Sequence, residues 1–312
     1  MKILVTGGAG FIGSQVVDAY LAAGHQVAVL DNLSTGKREN LNPAARFVEM
    51  DLNHPAVGDF LAQEKFQVVN HHAAQVSVPY SVAHPELDMQ SNGLGMLNLL
   101  QASVRSGVER FIFISSGGAV YGEQEQIPTQ ETALPKPLSP YAAHKLLGES
   151  YLHFYGKQYG LKHVVLRYAN VYGPRQSPHA EAGVVAIFCE RLLAGQPCVI
   201  YRHQDMPAGM LRDYVYVGDI VRSNLAALDA GLGETVNIGT GRATSTAELY
   251  DMIAEAAGSH LKPSYGPPRS GDIRRSLLDC AKARQALGWQ AQVDLAEGCR
   301  RTMEWYRQRL GK

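Results

Sequence analysis

The first half of the chain alternates short β-branched and aliphatic runs with longer stretches in which apolar residues recur every three or four positions. The runs Lys2–Thr6, Gln26–Asp31, Arg46–Met50, Gln67–Asn70, Arg110–Ser115 and His163–Arg167 predict strands. Between them, Phe11–Ala23 predicts a helix stopped by Gly24. Glu86–Ser106 predicts one long helix, with Leu87, Leu94, Leu97, Leu100 and Val104 near helical spacing, and Tyr141–Tyr159 predicts another. This strand–helix alternation implies a parallel sheet with helices on both faces. The expected fold is α/β: a doubly wound parallel sheet with a smaller C-terminal α/β lobe.

Beyond about residue 170 the pattern becomes less regular. Val184–Leu193, Val217–Asp229, Thr244–Ala257 and Leu295–Arg309 predict helices, and Thr235–Ile238 a strand. Gln196–Leu211 and the Pro/Gly-rich Pro263–Gly271 are expected to be irregular. The division expected is a nucleotide-binding domain over 1–170, to which the chain returns around 213–240. The lobe is then built from 171–212 and 241–312.

Composition narrows the function classes. Lysine plus arginine equals aspartate plus glutamate at 29 each, so no global field recruits nucleic acid or a membrane surface. No apolar run reaches membrane-spanning length, and the N-terminus enters a strand without the pattern of a signal peptide. Cys189, Cys198, Cys280 and Cys299 are widely separated with no C-x-x-C spacing, so neither a disulfide framework nor a metal site is expected. A reducing cytoplasm fits that usage.

The chemistry starts after the first strand. Gly7, Gly10 and Gly13 recur at three-residue spacing between a predicted strand and a predicted helix. Such glycines allow a tight turn, close approach of backbone to a pyrophosphate, and helix–strand packing. The helix N-terminus then presents free N–H groups to phosphate. Asp31 ends the next strand, placed for the hydroxyls of the adenosine ribose, which favours NAD. Lys37 and Arg38 lie nearby and keep NADP open as an alternative. Asp51, after the third strand, is a candidate for the adenine end.

Tyr141 and Lys145 are four residues apart at the start of a predicted helix and so share one face. A tyrosine with pKa near 10 is a poor base, but a neighbouring ammonium and an oxidised nicotinamide both favour the phenolate. Lowering that pKa by about 3 units takes roughly 4 kcal/mol, feasible for two positive charges in a water-poor site.

These residues carry a resemblance. The ordered segments T-G-G-A-G-F-I-G (from Thr6), D-N-L-S-T-G-K-R-E-N (from Asp31), H-H-A-A-Q (from His71), N-G-L-G (from Asn92), S-S-G-G-A-V-Y-G (from Ser115), S-P-Y-A-A-H-K (from Ser139), R-Y-A-N-V-Y-G-P-R-Q (from Arg167) and R-D-Y-V-Y-V-G-D (from Arg212) span almost the whole chain. Together they resemble the extended short-chain dehydrogenase/reductases of Rossmann fold, and within them the UDP-glucose 4-epimerases. The resemblance implies bound NAD and inversion at C4 of a UDP-hexose through a transient 4-keto sugar, with Tyr141 as acid/base and Lys145 holding the nicotinamide ribose. It assigns the cofactor to Gly7, Gly10, Phe11, Ile12, Gly13, Asp31, Asn32, Ser34, Gly36, Asp51, Leu52, Ala73, Ala74, Gln75, Asn92, Ser115 and Tyr168, besides Tyr141 and Lys145. It assigns the sugar nucleotide to Ser116, Gly117, Asn170, Val184, Val185, Phe188, Tyr201, Arg212, Arg269, Asp272 and Ser276. A homodimer through the helices at 86–106 and 141–159 is also implied.

The chain departs from the family pattern at two places. Where many relatives carry a serine or threonine that contacts the sugar's O4, this chain has Gly117; Ser116, or a water held by the Gly117–Gly118 backbone, is the candidate replacement. Strand alternation counts against Ser116. The loop Ile200–Arg212 is longer than in relatives and contains His203 and Asp205, expected to be solvated rather than metal-bound. His71 and His72 are expected to be packed and neutral. Ser276, small where some relatives carry tyrosine, implies room for an N-acetyl group and hence UDP-GlcNAc/UDP-GalNAc as substrates.

Other sugar-nucleotide enzymes of this fold, uronate epimerases and 4,6-dehydratases, are the alternative. Dehydratases carry Asp-Glu where Gly118-Ala119 stand, which argues against water loss. A non-catalytic NAD-sensing regulator is disfavoured because both Tyr141 and Lys145 are present.

Overall fold

The computed structural model describes residues 1–178, 183–268 and 273–311. The first half contains β1 (Lys2–Thr6), α1 (Phe11–Ala22), β2 (Gln26–Asp31), β3 (Arg46–Glu49), α2 (Val57–Glu64), β4 (Val68–His71), α3 (Val78–Ala83), α4 (Pro85–Asp88), α5 (Gly95–Ser106), β5 (Arg110–Ser116), α6 (Gly117–Val120) and α7 (Pro140–Tyr159). The second half contains β6 (His163–Tyr168), β7 (Asn170–Tyr172), α8 (Val184–Leu193), β8 (Val199–Tyr201), β9 (Leu211–Arg212), β10 (Tyr214–Tyr216), α9 (Val217–Ala226), β11 (Thr235–Ile238), β12 (Thr244–Ser245), α10 (Thr246–Ala257), β13 (Ser264–Gly266), β14 (Arg275–Ser276), α11 (Ala281–Leu287) and α12 (Leu295–Leu310).

Seven strands form one sheet in the order β11-β6-β5-β4-β1-β2-β3, every pair parallel. Successive residues of each strand enter opposite cores, as the two-residue period demands. Ile3, Val29, Ile112 and Val164 pack on one face, whereas Leu4, Leu30, Phe113 and Val165 pack on the other. Burying each such side chain stabilises by about 1.5–3 kcal/mol, so the strand ends form a firm rim. The chain winds outward from β1 to β3 and then returns to β4 on the other side of β1. This reversal opens a crevice beyond the carboxyl ends of β1 and β4.

The third core belongs to the C-terminal lobe. It joins Phe188 and Cys189 of α8, Leu249 and Ile253 of α10, and Cys299, Met303 and Tyr306 of α12. The segments expected to be irregular, Gln196–Leu211 and Pro263–Gly271, contain β8 and β13, which pair in parallel from Val199↔Ser264 to Tyr201↔Gly266. Three-residue strands are too short for a two-residue period to stand out from loop composition. The four cysteines are free, and Cys189, Cys198 and Cys299 are buried. Among the described residues no helix is long and apolar enough to cross a membrane.

One expected element is corrected. The helix expected over Glu86–Ser106 is interrupted: α4 ends at Asp88, a π turn occupies Met89–Leu94, and α5 begins at Gly95. The widened turn breaks the 3.6-residue register. Leu87 and Leu94, core residues by spacing alone, are therefore 38% and 47% exposed. Asn92, inside the turn, faces inward and bonds the Gln75 backbone.

Candidate active site

A cleft of about 1220 Å³ runs from the glycine loop after β1 to Arg191 and Tyr201 in the lobe. It exceeds the roughly 300–1,000 Å³ typical of a single drug-sized ligand, which suits a dinucleotide beside a second nucleotide.

At its cofactor end, Gly7 has φ +70°, and a Cβ there would lie 2.5 Å from the Ala73 nitrogen. Only glycine lets the loop after β1 press against the loop after β4. Asp31 holds the glycine loop from below: one carboxylate oxygen accepts from the Ala9 N–H at 3.0 Å, the other from the Leu33 N–H at 2.8 Å. Helix α1 begins beside it with no side-chain cap and no acidic residue in its first turn, the state of a helix end suited to phosphate. Gly10, Phe11, Ile12, Gly13, Asn32, Ser34, Gly36, Asp51 and Leu52 all line this end, as do Ala73, Ala74 and Gln75. The exposed Asp51 accepts from Asn32 Nδ2 at 2.7 Å.

The middle of the cleft is set by α7. Ser139 caps the helix by accepting from the Ala142 N–H at 3.2 Å, and Pro140 occupies its first position. This fixes Tyr141 in the first turn, with Lys145 one turn on. The buried Lys145 Nζ donates to the Ile114 carbonyl at 3.0 Å and stands 5.9 Å from the centre of the Tyr141 ring. It also faces the Phe113 ring at 5.2 Å. Burial pushes the Lys145 pKa down to about 8, while the carboxylates of Asp88 and Glu149 oppose the fall. His71, the buried last residue of β4, and the half-buried His72 after it are both held towards the neutral form: loss of solvent around the rings pushes His71 well below its ordinary value and His72 down to about 3. The Thr6 hydroxyl lies 2.7 Å from His71 Nδ1.

Ser115 and Ser116 both reach the cleft wall but are employed differently. Ser115 donates to Glu149 at 2.5 Å, and Glu149 is in turn held by the Arg167 guanidinium. Ser116 is the last residue of β5 and the residue before α6. The alternation holds through Ser116, which still pairs with Tyr168: Ser116 faces the cleft and position 117 faces away from it. Gly117 does not line the cleft. A Cβ on it would point into the core and meet Leu278 at 2.6 Å. A Cβ on Gly118 would instead stand 3.5 Å from Asn170 Oδ1, 3.9 Å from Ser116 Oγ and 4.0 Å from Ser276 Oγ. Ser276 therefore stands near Gly118, Ser116 and Asn170 without lining the cleft.

In the lobe half, Asn170, Val184, Val185, Phe188, Tyr201 and Arg212 line the cleft, and Tyr168 closes it from the sheet. Asn92 does not line it and acts through Gln75. Arg269 and Asp272 lie outside the described residues. Asp205 is ion-paired with Arg274, and among the described residues there is no group of three or more His, Cys, Asp or Glu side chains placed to hold a metal. Sequence reasoning missed Gln176, Tyr80 and Arg191 on the wall. Gln176 was within reach, being the last residue of the same N-V-Y-G-P-R-Q segment that supplies Asn170.

Among the described residues, the buried Asn170 Oδ1 and Gln176 Oε1 have no hydrogen-bond partner. Buried acceptors are costly unless paired, and these two fit a ligand rich in hydroxyl and N–H donors. The cofactor half fits a dinucleotide on three grounds: an uncapped helix end, a glycine turn without room for a side chain, and a carboxylate at the ribose position.

A model of the NAD dependent epimerase/dehydratase family matches residues 3–239. The chain is 47% identical to the UDP-glucose 4-epimerase of Mycolicibacterium smegmatis over 313 aligned positions, covering 98% of this chain and 99% of that protein. The crystal structure of UDP-glucose 4-epimerase with UDP-glucose from Thermotoga maritima superposes with a TM-score of 0.96 at 49% identity, covering 99% of this chain and 100% of that one. The Thermus thermophilus UDP-glucose 4-epimerase complex with NAD gives 0.92 at 48% identity, covering 98% and 99%.

Proposed function

The chain belongs to the NAD dependent epimerase/dehydratase family, and on that premise we propose how its own residues invert C4 of a UDP-hexose. The reaction is that of a UDP-glucose 4-epimerase, an NAD-dependent isomerase acting through a transient 4-keto sugar. One observation carries the assignment of roles: Tyr141 and Lys145 stand on one helix face midway along a cleft with a dinucleotide end and a sugar-nucleotide end.

The cofactor half of the cleft would hold NAD, which would supply a hydride acceptor for C4 of the sugar and the donor for its return. The Tyr141 phenolate takes the proton of the 4-hydroxyl and later gives it back. Lys145 holds positive charge beside that phenolate, anchored through the Ile114 carbonyl. Asp31 receives the ribose of the cofactor, and the first turn of α1 its phosphates. Asn170 accepts from the substrate with its Oδ1, which no described residue engages, and Arg212 supplies a forked donor for the diphosphate. Ser116 takes the place of the hydroxyl that position 117 lacks.

Three finer features belong to the same reading. The small Ser276 beside Gly118 leaves space for an N-acetyl group, so the N-acetylhexosamine pair is also turned over. Residues 1–170 with 213–240 serve the cofactor, and 171–212 with 241–312 serve the sugar nucleotide. Two copies pair through the 86–106 segment and α7 in the cytoplasm, a pairing supported by the exposed apolar side chains of Leu87, Leu94, Phe154 and Tyr159. The test is incubation of purified protein with UDP-galactose, and separately with UDP-GalNAc, followed by separation of the C4 epimers. Both substrates are expected to turn over. Turnover of UDP-galactose alone would withdraw the N-acetyl reading only.

A further inference from the structure

Behind the cofactor wall lies a charged group that the reaction as described does not use. Asp88, the last residue of α4, is fully buried. One of its oxygens accepts from Gln75 Nε2 at 2.7 Å and Asn92 Nδ2 at 3.0 Å. The other is 2.5 Å from His144 Nδ1. A buried carboxylate without hydrogen bonds would be costly, and this one receives donors from three separate segments. Gln75 lines the cofactor half of the cleft. Asn92 sits in the π turn and clasps the Gln75 backbone twice, at 2.9 Å each way. His144 is on α7, between Tyr141 and Lys145. One carboxylate thus joins the wall that meets the cofactor to the helix that carries the proton chemistry.

We propose that Asp88 is a positioning residue of the reaction: it locks the Gln75 wall and the Tyr141–Lys145 helix in one register and supplies negative charge to Lys145. The proposal rests on the epimerase reading and extends it. The groups around Lys145 leave that charge few other sources. On its own helix stand Tyr141 and Glu149, the latter committed to Arg167. From the end of β4 come His71 and His72, both neutral. From β5 comes a carbonyl dipole, that of Ile114. Asp88 is the carboxylate that α4 contributes, and its field works against the loss of the Lys145 proton on burial.

The experiment measures the pH dependence of kcat and KM for UDP-galactose with wild type, D88N, H144A and H144N, alongside melting temperatures. Wild-type turnover tests the epimerase reading separately: an inactive wild type overturns that reading and this proposal with it, whereas the variants test this proposal alone. With wild type active, D88N is expected to lower kcat about tenfold with KM changed less than threefold. It is also expected to move the alkaline limb of the kcat profile down by about one pH unit. H144A, which leaves the carboxylate short of a donor, is expected to lower kcat. H144N, whose amide N–H falls where the imidazole Nδ1 stood, is expected to recover most of that loss. A folded D88N with the wild-type profile overturns the proposal. Should D88N fail to fold, the histidine pair decides: wild-type kcat in H144A, or no recovery in H144N, overturns it equally.

Discussion

A side chain at position 117 runs into Leu278, because a Cβ on Gly117 lies 2.6 Å from the Leu278 Cδ1 methyl. Leu278 is 1% exposed and packed in the core beneath the sheet, so it has little room to yield. The hydroxyl that relatives carry at this position thus cannot simply be restored. G117S is expected to lose about 1–3 kcal/mol of stability through overpacking without gaining rate. In the double variant with L278A the two effects should couple by at least about 0.5 kcal/mol. Denaturant melts of the four proteins measure this. S116A, by contrast, should melt as wild type and lose about 10–100-fold in kcat.

Lys145 links activity to pH. Its folded pKa of about 8 lies below the 10.5 of the free side chain. Between those values the unfolded chain holds a proton that the folded chain has released, so stability rises as pH climbs through that window. Below about pH 8 the buried charge costs stability. K145M is therefore expected to abolish turnover yet be more stable at pH 7, by about 1–3 kcal/mol, with the advantage shrinking towards pH 10.5. Wild-type kcat should decline above about pH 8. Melting curves and rates across pH 6–11 check both signs.

Asp31 joins the glycine loop to the ribose position through its bonds from Ala9 and Leu33. Losing one charge-assisted bond costs about 1.5–3 kcal/mol. D31N is therefore expected to weaken NAD binding about 10–100-fold, read as the NAD content of purified protein and by titration. Unchanged NAD affinity would remove Asp31 from the cofactor site.

The exposed apolar side chains along 86–106 and α7 give a test of assembly. Phe154 is 49% exposed and in edge-on contact with Tyr155 and Tyr159. F154E is expected to convert a dimer into a monomer by sedimentation while leaving the isolated fold intact. A wild-type protein that sediments as a monomer would contradict the pairing.

Local patterns in the chain were readable because they are local. The turn from β1 through Gly7 to α1 and the Tyr141–Lys145 spacing each depend on neighbours within one or two turns. The Asp88–His144 contact joins residues 56 apart, and no periodicity announces it. The same holds for Leu278 against Gly117. The π turn at Met89–Leu94 was invisible because leucine spacing continues through it while the backbone register does not. Strand alternation does set Ser116 and position 117 on opposite sides, but which of the two faces the cleft depends on the distant Leu278, which no local pattern reveals.

The central claim is that Tyr141 moves the C4 proton while Lys145 supplies its charge. Its most direct measurement is conversion of UDP-galactose to UDP-glucose by purified wild type and Y141F, without added NAD. The account predicts UDP-glucose from wild type and a rate at least about 10²-fold lower in Y141F, with NAD content unchanged. A Y141F protein that epimerises at the wild-type rate, or a folded NAD-loaded wild type that forms no UDP-glucose, would contradict it.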